Sequence, residues 1–347
     1  MHRRGAFRLF TAAAFGALPG CGLPMLRREL VSSNKYTIPD RAMDHLRRYA
    51  PRGYACWQQG DRVGGSGNGP VFPALSVTKS IAMLTAARAV TKGWLKPDEV
   101  VDFPEWRAGK GAGITVRHLL DSTAGLPPGD RELYSARPAD KGRAALSLPV
   151  VHAPGAVFRY GPASWELLGE FLKRRLPEHG STLPKFLGET LGHLSISPRG
   201  WRYDGGGIPY LSTGISCGLD DLGRLGSALA DLESGHNHAG VSADVFQNLT
   251  SPRAANPMFS AGIWWNRLAH NSAARPVEPE GSLSGERSPG FWRNACLQPA
   301  AAPDWLALVG SGGTRVYVLP SASVVIAVAR AGDSWSDAAM LRELTVC

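Results

Sequence analysis

The sequence predicts an α/β plus α fold, in which an antiparallel sheet built from both chain ends, with flanking helices, carries an inserted helical lobe. Three observations predict it. Segments rich in Val, Trp and Tyr gather between Met258 and Ala329. A strand-like segment lies near the other end, at Gly53 to Gln58. Between them, from Leu95 to about Ala254, helical pieces are parted by Pro and Gly loops. Strands on both sides of a helical middle form one sheet only if the two ends meet. The expected division is residues 36–92 and 255–347 in the α/β lobe and 93–254 in the mainly helical lobe.

In chain order, a polar linker at Val31 to Lys35 precedes helical spacing at Asp40 to Tyr49, and the Gly-rich run Gly60 to Gly69 closes a turn after the first strand. Leu75 to Val90 is apolar on nearly every side except at Ser76, Lys79 and Arg88, with Gly93 just past its end as a stop. Such a helix has no solvent face and belongs in the core. Further helices are expected at Thr115 to Leu120, Ser164 to Arg175, Leu183 to Leu191 and Leu219 to Glu233. Strands are expected at Met258 to Trp265, Trp305 to Val309, Thr314 to Leu319 and Ser323 to Ala329, and a closing helix at Ser336 to Leu344.

The 347 residues are 44% hydrophobic, enough for a large core and against a mainly disordered chain. The net charge of +9 is scattered, and its tight clusters, Arg47-Arg48 and Lys173-Arg174-Arg175, fall on helix faces expected to meet solvent. That pattern argues against nucleic acid as a partner and suits a neighbourhood of anionic lipid or cell wall. Residues 1–21 read as an export signal: basic Arg3, Arg4 and Arg8, an apolar stretch from Leu9 to Leu18, then Pro19-Gly20-Cys21. The stretch is too short for a permanent span. Small residues ahead of a Cys have the form of a lipobox, so Cys21 is the expected lipidation site. A lipid anchor in the membrane and a periplasmic or outer-membrane location follow. The remaining Cys56, Cys217, Cys296 and Cys347 are even in number, which leaves two disulfides in any of three pairings, or four buried thiols, open to the sequence. None of their spacings suits zinc, and His236-Asn237-His238 lacks a third ligand nearby, so no metal is expected and no organic cofactor.

Ser76-Val77-Thr78-Lys79 is the arrangement with chemistry in it. Positions i and i+3 share a helix face, so the Lys79 ammonium reaches the Ser76 hydroxyl, and apolar surroundings lower its pKa towards that of a usable base. The first amides of a helix lack intrahelical acceptors, which frees that of Ser76 for an oxyanion. Spacing alone is weak, since Ser32 to Lys35 repeats it in a polar linker with Pro39 close behind. Gly214-Ile215-Ser216-Cys217-Gly218 satisfies the Gly-x-Ser-x-Gly elbow, but Gly205-Gly206-Gly207-Ile208-Pro209 ahead of it offers no buried strand.

The run Pro73-Ala74-Leu75-Ser76-Val77-Thr78-Lys79-Ser80-Ile81 resembles the nucleophile segment of the class C β-lactamase-related serine hydrolases, in the serine β-lactamase and penicillin-binding-protein superfamily. The likeness continues in order through Ile114 to Leu126, Pro154-Gly155 to Phe158-Arg159-Tyr160, Thr213 to Gly226, Gly262 to Trp265 and Gly310 to Pro320. It implies a β-lactamase/transpeptidase-like fold and an acyl-enzyme mechanism. In that mechanism Ser76 attacks an ester or amide, Lys79 and Tyr160 relay the proton, and the amides of Ser76 and Ser311 hold the oxyanion.

The chain departs from the family pattern twice. Pro162 stands where relatives carry the Asn of Tyr-x-Asn. The basic residue of the last motif is absent whether that motif aligns with Leu308-Val309-Gly310 or with Gly310-Ser311-Gly312. Relatives bind a substrate carboxylate with that cation, so its loss argues against β-lactamase or transpeptidase activity. The run Gly310-Ser311-Gly312-Gly313-Thr314 is closer to the esterase and 6-aminohexanoate-dimer hydrolase branch, and its small residues let substrate approach the backbone. Gly310, Gly312, Gly313 and Trp264 are the expected pocket residues. The expected activity is that of a carboxylesterase-like or amide hydrolase. A β-lactamase or D-amino-acid peptidase, and a non-catalytic envelope lipoprotein that binds through this fold, are the alternatives. The natural substrate and the oligomeric state are not written in the sequence.

Overall fold

The computed structural model describes residues 37–66, 69–106, 110–283 and 285–345. The expected export signal with Cys21, the second Ser-x-x-Lys at Ser32 to Lys35, and Cys347 lie outside these residues. The chain enters through α1 (Ile38–Tyr49), where Thr37 and Asp40 form a capping box that satisfies the first free amides. A hairpin of β1 (Tyr54–Gln59) and β2 (Arg62–Gly65) follows. The Gly-rich run read as a turn therefore holds a strand. Gln59 pairs with Arg62 across a tight turn at Gly60, whose φ is +56°. Gly64 belongs in the strand because a Cβ there would stand 2.6 Å from the Trp57 ring.

β3 (Phe72–Pro73) leads through a 3₁₀ turn, Leu75–Val77, into α2 (Thr78–Thr91). Every residue from Thr78 to Ala89 is buried, as the all-round apolar pattern demands. The middle of the chain supplies α3 (Val116–Leu120), α4 (Lys141–Ser147), α5 (Ala163–Arg175), α6 (Leu183–His193), α7 (Leu219–Glu233) and α8 (Ala243–Thr250). Of these, α4 and α8 are short helices that the sequence pattern does not signal. β4 (Gly200–Trp201) and β5 (Ile215–Cys217) join β3 in a small antiparallel sheet ordered β3-β5-β4.

The last part of the chain returns to strands: β6 (Phe259–Ser260), β7 (Ile263–Trp265), β8 (Arg275–Pro276), β9 (Ala295–Cys296), β10 (Leu306–Gly310), β11 (Thr314–Leu319) and β12 (Val324–Ala329). The short α9 (Pro289–Arg293) and the closing α10 (Asp337–Thr345) accompany them. The main sheet has seven strands in the order β2-β1-β12-β11-β10-β7-β6, and every pairing within it is antiparallel. β1 meets β12 from Tyr54↔Ala329 to Gln59↔Val324, so the two ends of the chain close one sheet, as the pattern predicts. This is the α/β plus α architecture expected from the sequence.

β11 and β12 are buried at every position, which requires cover on both faces. α7 packs on β1, β11 and β12, and α1 packs on β1, β12 and α10. α7 comes close at Gly226, where a Cβ would meet Val325 at 2.4 Å. Arg315 on β11 joins Asp337 of α10 at 2.9 Å, and Tyr317 joins both Asp337 and the Trp335 indole, so a buried polar network ties the last helix to the sheet.

The basic triplet Lys173-Arg174-Arg175 is neutralised locally by Glu170, Glu105, Glu99 and Glu178. Cys56, Cys217 and Cys296 are free thiols, so of the readings open to the sequence the disulfide pairings among these three are corrected. No helix among the described residues is long and apolar enough to cross a membrane.

Candidate active site

Ser76 sits in the 3₁₀ turn between β3 and α2, and that turn is gripped from two sides. Ala74 N–H donates to Ile215 O of β5 at 2.9 Å, and Ile215 N–H donates to Thr78 Oγ1 at 3.3 Å. On the other side the end of β10 lies so close that a Cβ on Gly310 would stand 2.6 Å from Ala74 O. Leu75, just before the serine, is held at φ +49°, a left-handed conformation that costs a leucine about 1 kcal/mol or more. The grip of β5 and β10 sustains that strain. It turns Ser76 outward, partly exposed, at the head of a helix that is otherwise buried.

One turn on, Lys79 is only 1% exposed. Its Nζ donates to Ser76 Oγ at 3.0 Å and to Ser212 O at 3.1 Å. Burial brings its pKa down from the usual lysine value to about 7, against the opposing pull of Glu166 and Asp130. At neutral pH a large share of this amine carries a free lone pair, as a proton acceptor must. Tyr160 completes the cluster. Its phenol faces the Ser76 side chain, and burial raises its pKa to about 12. The Lys79 ammonium lies 4.7 Å from the centre of the Tyr160 ring. The two pKa values separate the roles that this geometry offers: the lysine accepts a proton near neutrality, while the phenol stays protonated and can only donate or pass one on.

Trp264, expected to line a pocket, is buried in an aromatic wall behind Tyr160, 6.1 Å from it between ring centres and against Phe158, Phe259 and Trp292. In front of that wall lies a cavity of about 70 Å³ whose lining includes Pro128, Phe158, Tyr160 and Trp292 together with Arg159 and Arg287. Ser311 is exposed, one residue past Gly310, at the hairpin between β10 and β11. Gly312 and Gly313 make the bend with φ of +69° and +74°. Gly313 also packs so closely that a Cβ would stand 2.5 Å from Gly332 N. Leu308 is buried in β10, and the nearby cation Arg315 is already held by Asp337, Glu280 and the carbonyls of Gly310 and Thr314.

Several neighbours of the site have no signal of their own in the sequence. Glu166 lies on the buried side of α5, wholly covered, where Trp165, Leu167 and Leu168 surround it in sequence. A lone carboxylate in such a run is the one hint the chain carries. Its partner Lys141 and its acceptor Ser212 are distant in sequence and carry no pattern that would join them. Tyr134 is half-buried, its covered hydroxyl facing Ser212 and Thr213 but without a hydrogen bond of ordinary geometry, and desolvation raises its pKa.

Other candidate groups stand apart. Ser216 lies mid-strand in β5 opposite Pro73, and among the described residues no ionisable side chain hydrogen-bonds its hydroxyl. His238 pairs with Asp231 at 2.7 Å, and no group of three metal-ligating side chains occurs among the described residues. A cavity of about 830 Å³ between β1, β2 and α7 contains none of the Ser76 set. Convergent chemistry rather than volume marks the site.

The family model named Beta-lactamase matches residues 45–345. The chain belongs to the Beta-lactamase family. Among solved structures, this Beta-lactamase-family protein is similar to EstCE1, described as a hydrolase with promiscuous acyltransferase activity, at 16% identity and a TM-score of 0.62, with 89% of this chain and 98% of that one covered. A penicillin-binding-protein homologue from Caulobacter crescentus gives 17% identity and a TM-score of 0.61, covering 89% and 97%. A Bacillus anthracis structure provisionally described as a 6-aminohexanoate-dimer hydrolase gives 13% identity and 0.59, covering 84% and 76%. At these identities the likeness establishes the fold, which is β-lactamase/transpeptidase-like. No curated protein sequence matches the chain.

Proposed function

We propose that this protein is an acyl-enzyme hydrolase of esters or amides, carboxylesterase-like or amidase-like rather than a β-lactamase. The observation that carries the proposal is the 3.0 Å contact between a buried, low-pKa Lys79 and Ser76, with the Tyr160 phenol facing the same pair. Ser76 Oγ attacks the carbonyl carbon while its proton passes to Lys79 Nζ, and the N–H groups of Ser76 and Ser311 receive the oxyanion. The proton returns through Lys79 and Tyr160 to the leaving group. Water then attacks the acyl-serine by the reverse relay. A buried Leu308 and an Arg315 saturated by its own partners leave the last-motif position without a free cation for a substrate carboxylate, which speaks against penicillins, while Arg159, paired with Glu286, and Arg287 line the cavity beside Tyr160.

The test is covalent. A fluorophosphonate probe should label one peptide, the one containing Ser76, and Ser76→Ala should abolish labelling together with turnover of short p-nitrophenyl esters while the protein still melts cooperatively. Labelling that survives in Ser76→Ala would sink the assignment, and a folded wild-type protein that never labels would return the chain to a binding role. Nitrocefin and D-amino-acid peptides in the same panel should turn over poorly beside esters or aminohexanoate oligomers. The proposal includes an envelope location, supported by the signal-like residues 1–21 ending at Cys21. Incorporation of labelled fatty acid in cells, lost in Cys21→Ser, checks it.

A further inference from the structure

Lys79 is held on Ser76 by a backbone carbonyl, that of Ser212, in the loop that precedes β5. A loop carbonyl is a poor anchor unless something fixes the loop. In this chain Glu166 does so. Its Oε1 accepts Ser212 N–H at 3.0 Å and also the Ser212 hydroxyl, and its Oε2 accepts Leu211 N–H at 3.4 Å. The same Oε2 lies 2.8 Å from Lys141 Nζ, and that ammonium also donates to Pro209 O. Lys79, Lys141, Glu166 and Ser212 are each at most 1% exposed. A continuous line of contacts thus runs from α4 through α5 and the 209–212 loop to α2 and the nucleophile turn. Pro162, at the head of α5, has no side-chain polar group to share this task.

We propose that the buried Lys141–Glu166 ion pair is the positioning device of the Ser76 site: it clamps the Leu211–Ser212 backbone so that the Ser212 carbonyl holds Lys79 on the serine. Two arguments favour this over a purely structural pair. Burying two charges is expensive, and apolar residues of similar volume commonly serve stability as well or better. In addition, every oxygen of Glu166 that faces away from Lys141 is directed at the segment holding Lys79. The pair also acts on Lys79 through space. Glu166 acts more strongly than Asp130, the other carboxylate that favours its charged form. The Tyr160 ring also faces Lys79, and Tyr134 lies beside Ser212. Arg315 and Glu280 face Tyr160 from β11 and from the loop after β8. Asp204 and Lys173 act on Lys141.

This inference rests on the catalytic reading of Ser76, and the experiment separates the two. The pH profile of fluorophosphonate labelling is measured on the full chain for wild type, Ser76→Ala, the charge-balanced double variant Lys141→Met/Glu166→Gln, and Ser212→Ala. In the double variant the midpoint of the labelling profile should move down by about one pH unit, because the carboxylate that favours protonated Lys79 is gone. The plateau rate should fall about tenfold or more as the lysine loses its anchor. Ser212→Ala, which removes one bond to Glu166 and keeps the carbonyl, should lower the plateau several-fold with melting unchanged. This arm decides the matter if the double variant does not fold. An unmoved midpoint in a folded double variant, or an unaltered plateau in Ser212→Ala, overturns the positioning role. Labelling that persists in Ser76→Ala instead overturns the catalytic reading itself.

Discussion

Changing the pH across neutrality puts the base assignment to a direct test, because the Lys79 amine must lose its proton before it can take one from Ser76. With its pKa brought down to about 7 by burial, the neutral fraction is about 0.1 at pH 6 and about 0.9 at pH 8. The value of kcat/KM for a short p-nitrophenyl ester, corrected for spontaneous hydrolysis, should therefore rise about tenfold over those two units and then level off. A lysine with its ordinary pKa would instead give a rate that keeps climbing nearly tenfold per unit past pH 9, up to about pH 10. A profile still log-linear there, with the fold intact by circular dichroism, would refute the reasoning. Lys79→Arg should lose about 10³-fold or more, since a guanidinium stays protonated.

The same shift carries a stability sign. The native pKa lies below the unfolded one, so between about pH 7 and pH 10.5 the unfolded chain binds more protons and stability increases with pH. The penalty is complete below pH 7. Lys79→Met should accordingly be inactive yet more stable at pH 6, by up to about 5 kcal/mol for a shift of this size. Chemical denaturation at pH 6 and pH 10 reads the difference, which should shrink at the higher pH.

Three more expectations follow from packing and charge. Gly310→Ala must push the Ala74 carbonyl out of the way of its new Cβ, so the Ser76 labelling rate should fall about tenfold or more, and an unchanged rate would detach β10 from the nucleophile turn. Arg315→Met leaves Asp337 buried without its cation and should cost about 3–5 kcal/mol in urea unfolding. Asp121 is buried with a pKa raised by burial to about 7, and it accepts a bond from Ala261 N–H. Its native pKa lies above the unfolded one, so stability is lost as pH rises from about 4 to 7. Asp121→Asn, which keeps an acceptor for Ala261, should raise the melting temperature at pH 8 and have little effect at pH 4.

The main elements were legible because each depends on residues adjacent in the chain. α2 announces itself by apolar residues on all sides, and β11 and β12 by unbroken Val-rich runs that only a sheet covered on both faces can bury. β2 was hidden because its glycines, which read as a turn, are there to clear the Trp57 ring on the neighbouring strand. The two-residue strands β3 and β4 are too short to show a period.

By itself the sequence determined the fold class, the closing of one sheet from both chain ends, and the pairing of Ser76 with Lys79, since three residues along a helix bring two side chains together whatever else surrounds them. Only the tertiary structure decided how that pair is tuned. The burial that lowers the Lys79 pKa, the strained Leu75 held between β5 and β10, and the path from Lys141 through Glu166 and Ser212 to Lys79 all join residues far apart in the chain. Desolvation and hydrogen-bond geometry depend on what surrounds a group in space, and no local pattern encodes that.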